Sequence, residues 1–299
     1  MTLSTPLYTS RLSIPYSPHS HLNTLDIHTP TTPSLSPSFH LLYIHGGAFR
    51  DPLVTSTSLN PSLPSLFANR HISAIVSLNY RLSPHPHHPS HPSRPDDKSR
   101  NAKWPDHIDD VRDAVRWLQE EGGGGRGGGG GGMKGKEWIV AGHSVGGTMA
   151  LMLGMEPRSG DHGWGKETPM VGLRGVVGVE GIYDFVALRD AHAGMRGLYE
   201  AFTEGAFGAE EGGGWRRGDV LRCGRRVRED VDCVVVGHSR EDELVEWQQA
   251  VSMMEVLRRE ANGTKFLVEV KGKHQEVVTG GVGIGVCVMK CVDGLVRGH

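Results

Sequence analysis

The chain has 299 residues, of which 37% are hydrophobic and 42 are glycine, and its formal net charge is −2 at pH 7. The balance of 32 Lys and Arg against 34 Asp and Glu, with no long basic block, argues against a nucleic-acid or anionic-membrane partner. No stretch approaches the ~18 apolar residues of a membrane span, and the composition excludes collagen, coiled coil and a disulfide scaffold.

The first 38 residues are rich in Ser, Thr and Pro, and 15 of the 17 prolines lie at or before Pro105. Residues 1–11 are expected to be loosely held, and residues 21–27 (HLNTLDI) alternate as an edge strand would. The runs 40–44 (HLLYI) and 72–78 (ISAIVSL) read as buried strands. Between this second strand and the next helix lies His85-Pro86-His87-His88-Pro89-Ser90-His91. Its imidazoles suggest a metal, but the interleaved prolines prevent a regular converging face, and a solvated loop is expected. In residues 109–119 (DDVRDAVRWLQ), Val111, Ala114, Val115 and Leu118 fall at i, i+3, i+4 and i+7, an amphipathic helix opened by acids.

Ten glycines then crowd residues 122–132. That run can hold neither helix nor strand and reads as an inserted surface loop, since closure entropy grows slowly with length. Beyond it, strands are expected at 137–141, 173–179, 232–236 and 265–270, with helices opening at 146 and over 244–260, and a further helix near 282–296. Alternating strand and helix predicts an α/β fold, a mostly parallel central sheet with helices on both faces, formed by residues 1–299 as a single domain.

Cys223, Cys233, Cys287 and Cys291 contain no CxxC pair, as expected of buried thiols in a reducing compartment. The N-terminus lacks the apolar core of a secretory signal, so a cytoplasmic protein is expected.

The chemistry centres on Gly142-His143-Ser144-Val145-Gly146, a G-x-S-x-G motif between an expected strand and an expected helix. There a serine sits on a tight turn with its hydroxyl projecting from the sheet edge, as a nucleophile does. Directly after the strand 40–44, His45-Gly46-Gly47-Ala48-Phe49 offers backbone N–H groups for an oxyanion, and the N–H of Val145 is the expected second donor. An acid and then a histidine must follow the serine. His274 follows the last clear strand, where a base can reach Ser144, and His238 is the alternative. His162 lies in a polar loop and His299 at the terminus. Asp242, between Ser239 and Leu244-Val245, is the expected acid, with Asp184, Glu241 and Glu243 as rivals. Ser239 lacks the glycine framing of a nucleophile.

Together these residues resemble the α/β-hydrolase superfamily, and within it the fungal kynurenine formamidases (arylformamidases). The segments that carry the resemblance, in the family's order, are YIHGGAFRDP at 43–52, LNYRLSPHP at 78–86 and WPDHIDDVRDAVRWL at 104–118. They continue with AGHSVGG at 141–147, EGIYD at 180–184, SREDELV at 239–245 and KHQEVV around His274. The likeness spans roughly residues 12 to 280 apart from the glycine run. It departs at Phe49, where the family's HGGxW motif has Trp; because it directly follows the glycines of that loop, Phe49 is expected to form a wall of the substrate pocket. Hormone-sensitive-lipase-like carboxylesterases share the HGG and YRL motifs and stand as the alternative, with a non-catalytic hydrolase-like binding protein as a third. The resemblance implies hydrolysis of N-formyl-L-kynurenine to L-kynurenine and formate in tryptophan breakdown, a route towards NAD biosynthesis. It also implies a cytosolic, often homodimeric enzyme, a Ser144, Asp242 and His274 triad, and a His45, Gly46 and Gly47 oxyanion loop. This chemistry calls for no metal or organic cofactor, and the only expected partners are the small-molecule substrate and a second subunit.

Overall fold

Alternate residues of the buried strands face opposite sides of one sheet, and that periodicity builds two cores. In the computed structural model, which describes residues 6–120, 133, 135–157, 164, 170–211 and 213–298, the strands are β1 (Tyr8–Pro15), β2 (Thr24–Pro30), β3 (Phe39–Ile44), β4 (Ile72–Leu78) and β5 (Glu137–His143), followed by β6 (Met155–Pro157), β7 (Leu173–Val179), β8 (Gly224–Val227), β9 (Cys233–Ser239) and β10 (Thr264–Val270). Eight of them form a sheet in the order β1-β2-β4-β3-β5-β7-β9-β10, and β6 pairs with β8 separately. From β4 to β10 all neighbours are parallel, while β2 pairs antiparallel with β1 and β4. This is the α/β-hydrolase arrangement expected from the sequence.

The helices are α1 (Leu63–Ala68), α2 (Asp106–Glu120), α3 (Val145–Gly154), α4 (Phe185–Ala191), α5 (Arg196–Phe207), α6 (Val220–Cys223), α7 (Trp247–Leu257), α8 (Glu276–Thr279) and α9 (Gly283–Arg297). On one face, Leu42 and Ile44 of β3 join a core with Val111 and Val115 of α2 and Met149 of α3. On the other, Leu41 and Tyr43 pack with Leu66 of α1 and Cys287 and Val288 of α9. No helix among the described residues is long and apolar enough to cross a membrane.

Several boundaries differ from the sequence reading, three of them for reasons visible in the structure. Residues 8–11, expected to be loose, pair with Ile27 to Pro30 as an edge strand whose side chains are mostly exposed, so no alternating apolar signal marks it. The strand expected at 21–27 begins at Thr24, because Asn23 N–H closes a turn on the Ser20 carbonyl. The helix expected from Leu244 begins at Trp247, because the N–H groups of Leu244 and Val245 are taken by Asp242 Oδ1, each at 2.8 Å. The glycine run, His162 and His299 lie outside the described residues. The sheet pairs β3, which precedes that run, with β5, which follows it, Leu42 opposite Val140.

Candidate active site

Ser144, the loop from His45 to Phe49, Asp242 and His274 all follow the carboxyl ends of parallel strands, the edge where open α/β sheets gather their chemistry. Ser144 joins β5 to α3 with φ 56° and ψ −127°, a strained conformation for a residue with a side chain. The strain is imposed by close packing. A Cβ on Gly142 would stand 2.1 Å from the Gly146 carbonyl oxygen, and one on Gly146 would stand 2.2 Å from that of Ile44. The flanking glycines therefore let the helix start against the strand ends and push Ser144 outward. Val145 opens α3, so its N–H has no acceptor within the helix.

The loop after β3 turns through left-handed backbone at Gly47 (φ 87°), Ala48 (φ 50°) and Phe49 (φ 60°). Tyr80 Oη donates to the carbonyls of His45 (3.1 Å) and Gly46 (2.9 Å), and its ring stacks on His45 at 4.4 Å. Burial pushes His45 down to about 4, which leaves it neutral, with Nδ1 2.9 Å from the Gly46 carbonyl oxygen. The loop lies against the Ser144 turn, since a Cβ on Gly46 would stand 3.0 Å from the Ser144 Cβ. Phe49 does not border the cavity. It is fully buried beneath the loop, among His107, Phe207, Trp104 and Phe185 at ring separations of 4.9, 5.6, 6.0 and 6.2 Å. A wall for the substrate is the wrong role for it; left-handed backbone at Ala48 and Phe49 swings the ring inward and leaves Ala48 at the cavity.

His274 lies between β10 and α8, with Nδ1 2.8 Å from Asp242 Oδ2. The Asp242 side chain is fully buried. Burial raises its pKa, but the hydrogen bond and charge of His274 and the N–H groups of Val245 and Leu244 outweigh that and hold it below the ordinary carboxylate value. The rivals lie elsewhere. Asp184 caps α4 through Ala187 N–H at 2.9 Å and pairs with Arg222. Glu241 is exposed, and Glu243 accepts from the His274 backbone N–H at 3.1 Å. His238 is bonded to the Val245 carbonyl at 2.8 Å, beneath Asp242 rather than at the cavity.

One member of this cluster was not singled out from the sequence. Glu180, the first residue after β7, is fully buried, and its Oε2 is 3.4 Å from His274 Nδ1 and 3.1 Å from His143 Nε2. Burial, together with the charge of Asp242 and a hydrogen bond to it, pushes Glu180 up to about 10, so it is a neutral acid at pH 7. Its place in EGIYD was the available signal. His143, Glu180 and His274 bring metal-ligand atoms within 4.8 Å of one another. They do not fit a cation, because His274 Nδ1 already faces Asp242 and Glu180 is held neutral where a metal needs charge.

Ser144 and His274 border one cavity of ≈ 240 Å³. Ile182, Leu198, Phe202, Leu244 and Val245 give it an apolar wall, and Arg50, Asp51 and His85 a polar end. His85, His88 and His91 run along a loop, with His88 Nε2 3.5 Å from Asp51. A larger cleft of ≈ 560 Å³ near Met155 is lined by paired charges such as Arg226–Glu156 and is distant from this chemistry, so the smaller cavity is the functional candidate.

The BD-FAE family model matches residues 96–257. Kynurenine formamidase avaC of Aspergillus versicolor is 31% identical over 269 residues, which cover 81% of this chain and 84% of that protein. The chain belongs to the kynurenine formamidase family. Another relative, the kynurenine formamidase-like hydrolase fscH of Fusarium equiseti, is 29% identical over 92% of this chain and 90% of its own. Esterase B from Lactobacillus rhamnosis superposes with a TM-score of 0.71 at 15% identity, over 98% of this chain and 89% of that one. At that identity the likeness concerns the fold. This kynurenine formamidase relative is therefore a hydrolase-type enzyme with the α/β-hydrolase fold.

Proposed function

We propose that the protein hydrolyses N-formyl-L-kynurenine to L-kynurenine and formate, with Ser144, His274 and Asp242 as its triad. The observation that carries the reading is the 2.8 Å bond between His274 and a buried, ionised Asp242 beside the cavity that Ser144 borders, in a chain 31% identical to a kynurenine formamidase. Ser144 Oγ attacks the formyl carbon and passes its proton to His274 Nε2. The resulting oxyanion is received by N–H groups of the Gly46–Gly47 loop and of Val145. Collapse breaks the C–N bond, and His274 returns the proton to the departing aryl nitrogen. Water, deprotonated by His274, then attacks the formyl-serine, and formate leaves as Ser144 regains its proton. Asp242 fixes the His274 tautomer and stabilises the imidazolium. An aryl nitrogen leaves more readily than an alkyl amine, so an esterase-type site suffices.

The reading carries with it a cytosolic homodimer. The four cysteines are free and buried, in keeping with a reducing compartment. The test compares kcat/KM on formyl-kynurenine with that on short p-nitrophenyl esters. Strong preference for formyl-kynurenine supports the reading, and turnover of acetyl and butyryl esters with none of formyl-kynurenine replaces it with a carboxylesterase.

A further inference from the structure

Arg50 stands out among the groups that border the cavity and have no part in the bond-breaking steps. It follows the oxyanion loop directly, is half-buried, and faces the same space as Ser144 and His274. Its guanidinium has no hydrogen bond, and no carboxylate within 4.0 Å, among the described residues. Arg81, Arg112 and Arg189, by contrast, are matched, by Asp110, Asp109 and Asp190. A partly desolvated cation without a partner is costly unless a ligand supplies the counter-charge. Burial lowers the Arg50 pKa, with only the field of Asp51 opposing it, and His85 beside it is pushed down to about 4 and adds no second positive charge.

We propose that Arg50 is the specificity residue for a carboxylate on the leaving-group side of the substrate, and that the cavity is built for aryl amines and phenols bearing an α-amino-acid end. The planar guanidinium presents paired N–H donors that match a carboxylate. Asp51 borders the same cavity, and its Oδ1 is engaged by Leu53 N–H at 2.9 Å. A single cation next to a single anion suits a zwitterion. It disfavours a phosphate dianion, which Asp51 would repel. The apolar wall of Leu198, Phe202, Leu244 and Val245 provides for the aryl ring. In its choice of natural substrate this inference rests on the formamidase reading.

Two substrate pairs test it on the full-length protein. The first is N-formyl-L-kynurenine and its methyl ester, and the second is 4-acetoxyphenylacetate and its methyl ester. In each pair only the leaving-group carboxylate changes. The native protein should favour the acid, and Arg50→Met should lower the acid-over-ester ratio of kcat/KM by about 10- to 100-fold, mainly through KM. Arg50→Lys should retain part of the preference. Because the ratio is taken within one protein sample, a partly unfolded variant does not distort it. Hydrolysis of formyl-kynurenine with a ratio that Arg50→Met leaves unchanged would overturn the role of Arg50 and leave the formamidase reading standing. If neither formyl substrate is cleaved but the acetoxy pair shows an acid preference that Arg50→Met erases, the formamidase reading falls and the Arg50 role stands.

Discussion

A carboxylate helps an imidazole only while it stays ionised at the nitrogen it faces. Asp242 meets that condition because one oxygen takes two backbone N–H groups and the other takes His274. Asp242→Asn should therefore cost on the order of 10⁴ in kcat, as loss of the tautomer-fixing acid does elsewhere, and Ser144→Ala several orders of magnitude, with folds intact by circular dichroism. Asp184→Asn keeps a capping oxygen for the Ala187 N–H and loses only the charge of the partly exposed Arg222 pair, so it should cost at most ~1 kcal/mol of stability and keep near-native kcat. A dead Asp184→Asn enzyme would reverse the assignment of the acid. Glu180 meets the opposite condition. In the unfolded chain it ionises near the ordinary Glu value of ~4.3, whereas in the folded protein it keeps its proton to about 10. The native state then binds more protons than the unfolded state across that window, so this group's contribution to stability is fully present below it and is lost as pH rises. Glu180→Gln keeps the shape and removes the titration. Its Tm relative to the native protein should rise steadily from pH 5 to pH 9. A difference that stays flat with pH would mean that Glu180 is ionised in the folded protein.

At the level of elements, the turn that carries Ser144, the proposed nucleophile, is a steric device, and it was legible because its parts are contiguous in sequence. The strand, the two glycines and the helix all lie within residues 137–154. Gly146→Ala would drive a Cβ into the backbone carbonyls of Ile44 and His45, at 2.2 and 2.5 Å, where neither neighbour can rotate away. The variant should lose solubility or cooperative unfolding rather than merely slow down, and a soluble Gly146→Ala protein of native Tm would contradict that packing. What could not be read locally was the direction of side chains set by tertiary contacts. Phe49 follows Gly46 and Gly47 and so is expected from sequence to be a pocket wall, yet two left-handed residues turn it into the core. Glu180 meets His274 across two strands of the sheet, and α5 supplies Leu198 and Phe202 from a segment with no motif at all. Phe49→Ala should accordingly cost ~3–5 kcal/mol, the range for emptying a fully buried aromatic site. It should leave the ratio of formyl to acetyl anilide turnover unchanged in whatever protein remains folded. A normal Tm with an altered ratio would return Phe49 to the cavity wall.

For the molecule as a whole, the question is what the glycine run between α2 and β5 contributes. The helix before it closes at Glu120 and the strand after it opens at Glu137. Both ends are fixed by contacts that do not pass through the run: α2 buries Ile108, Val111, Val115 and Leu118, and β5 is paired on both sides by β3 and β7. The groups proposed for catalysis come from both sides of it, His45 to Gly47 before and Ser144, Asp242 and His274 after, so the sheet rather than the connection sets their spacing. For a flexible loop the closure cost changes only as (3/2)RT times the logarithm of the length ratio, which for a cut from 11 residues to three is roughly 1.2 kcal/mol, and in favour of the shorter loop. Cutting residues 122–132 to three should therefore leave Tm within a few degrees and kcat/KM on formyl-kynurenine within about twofold, measured side by side with the full-length chain. A collapse of either would mean that the run packs against the folded chain or against a second subunit, in which case gel filtration of the shortened protein should show the loss of that assembly.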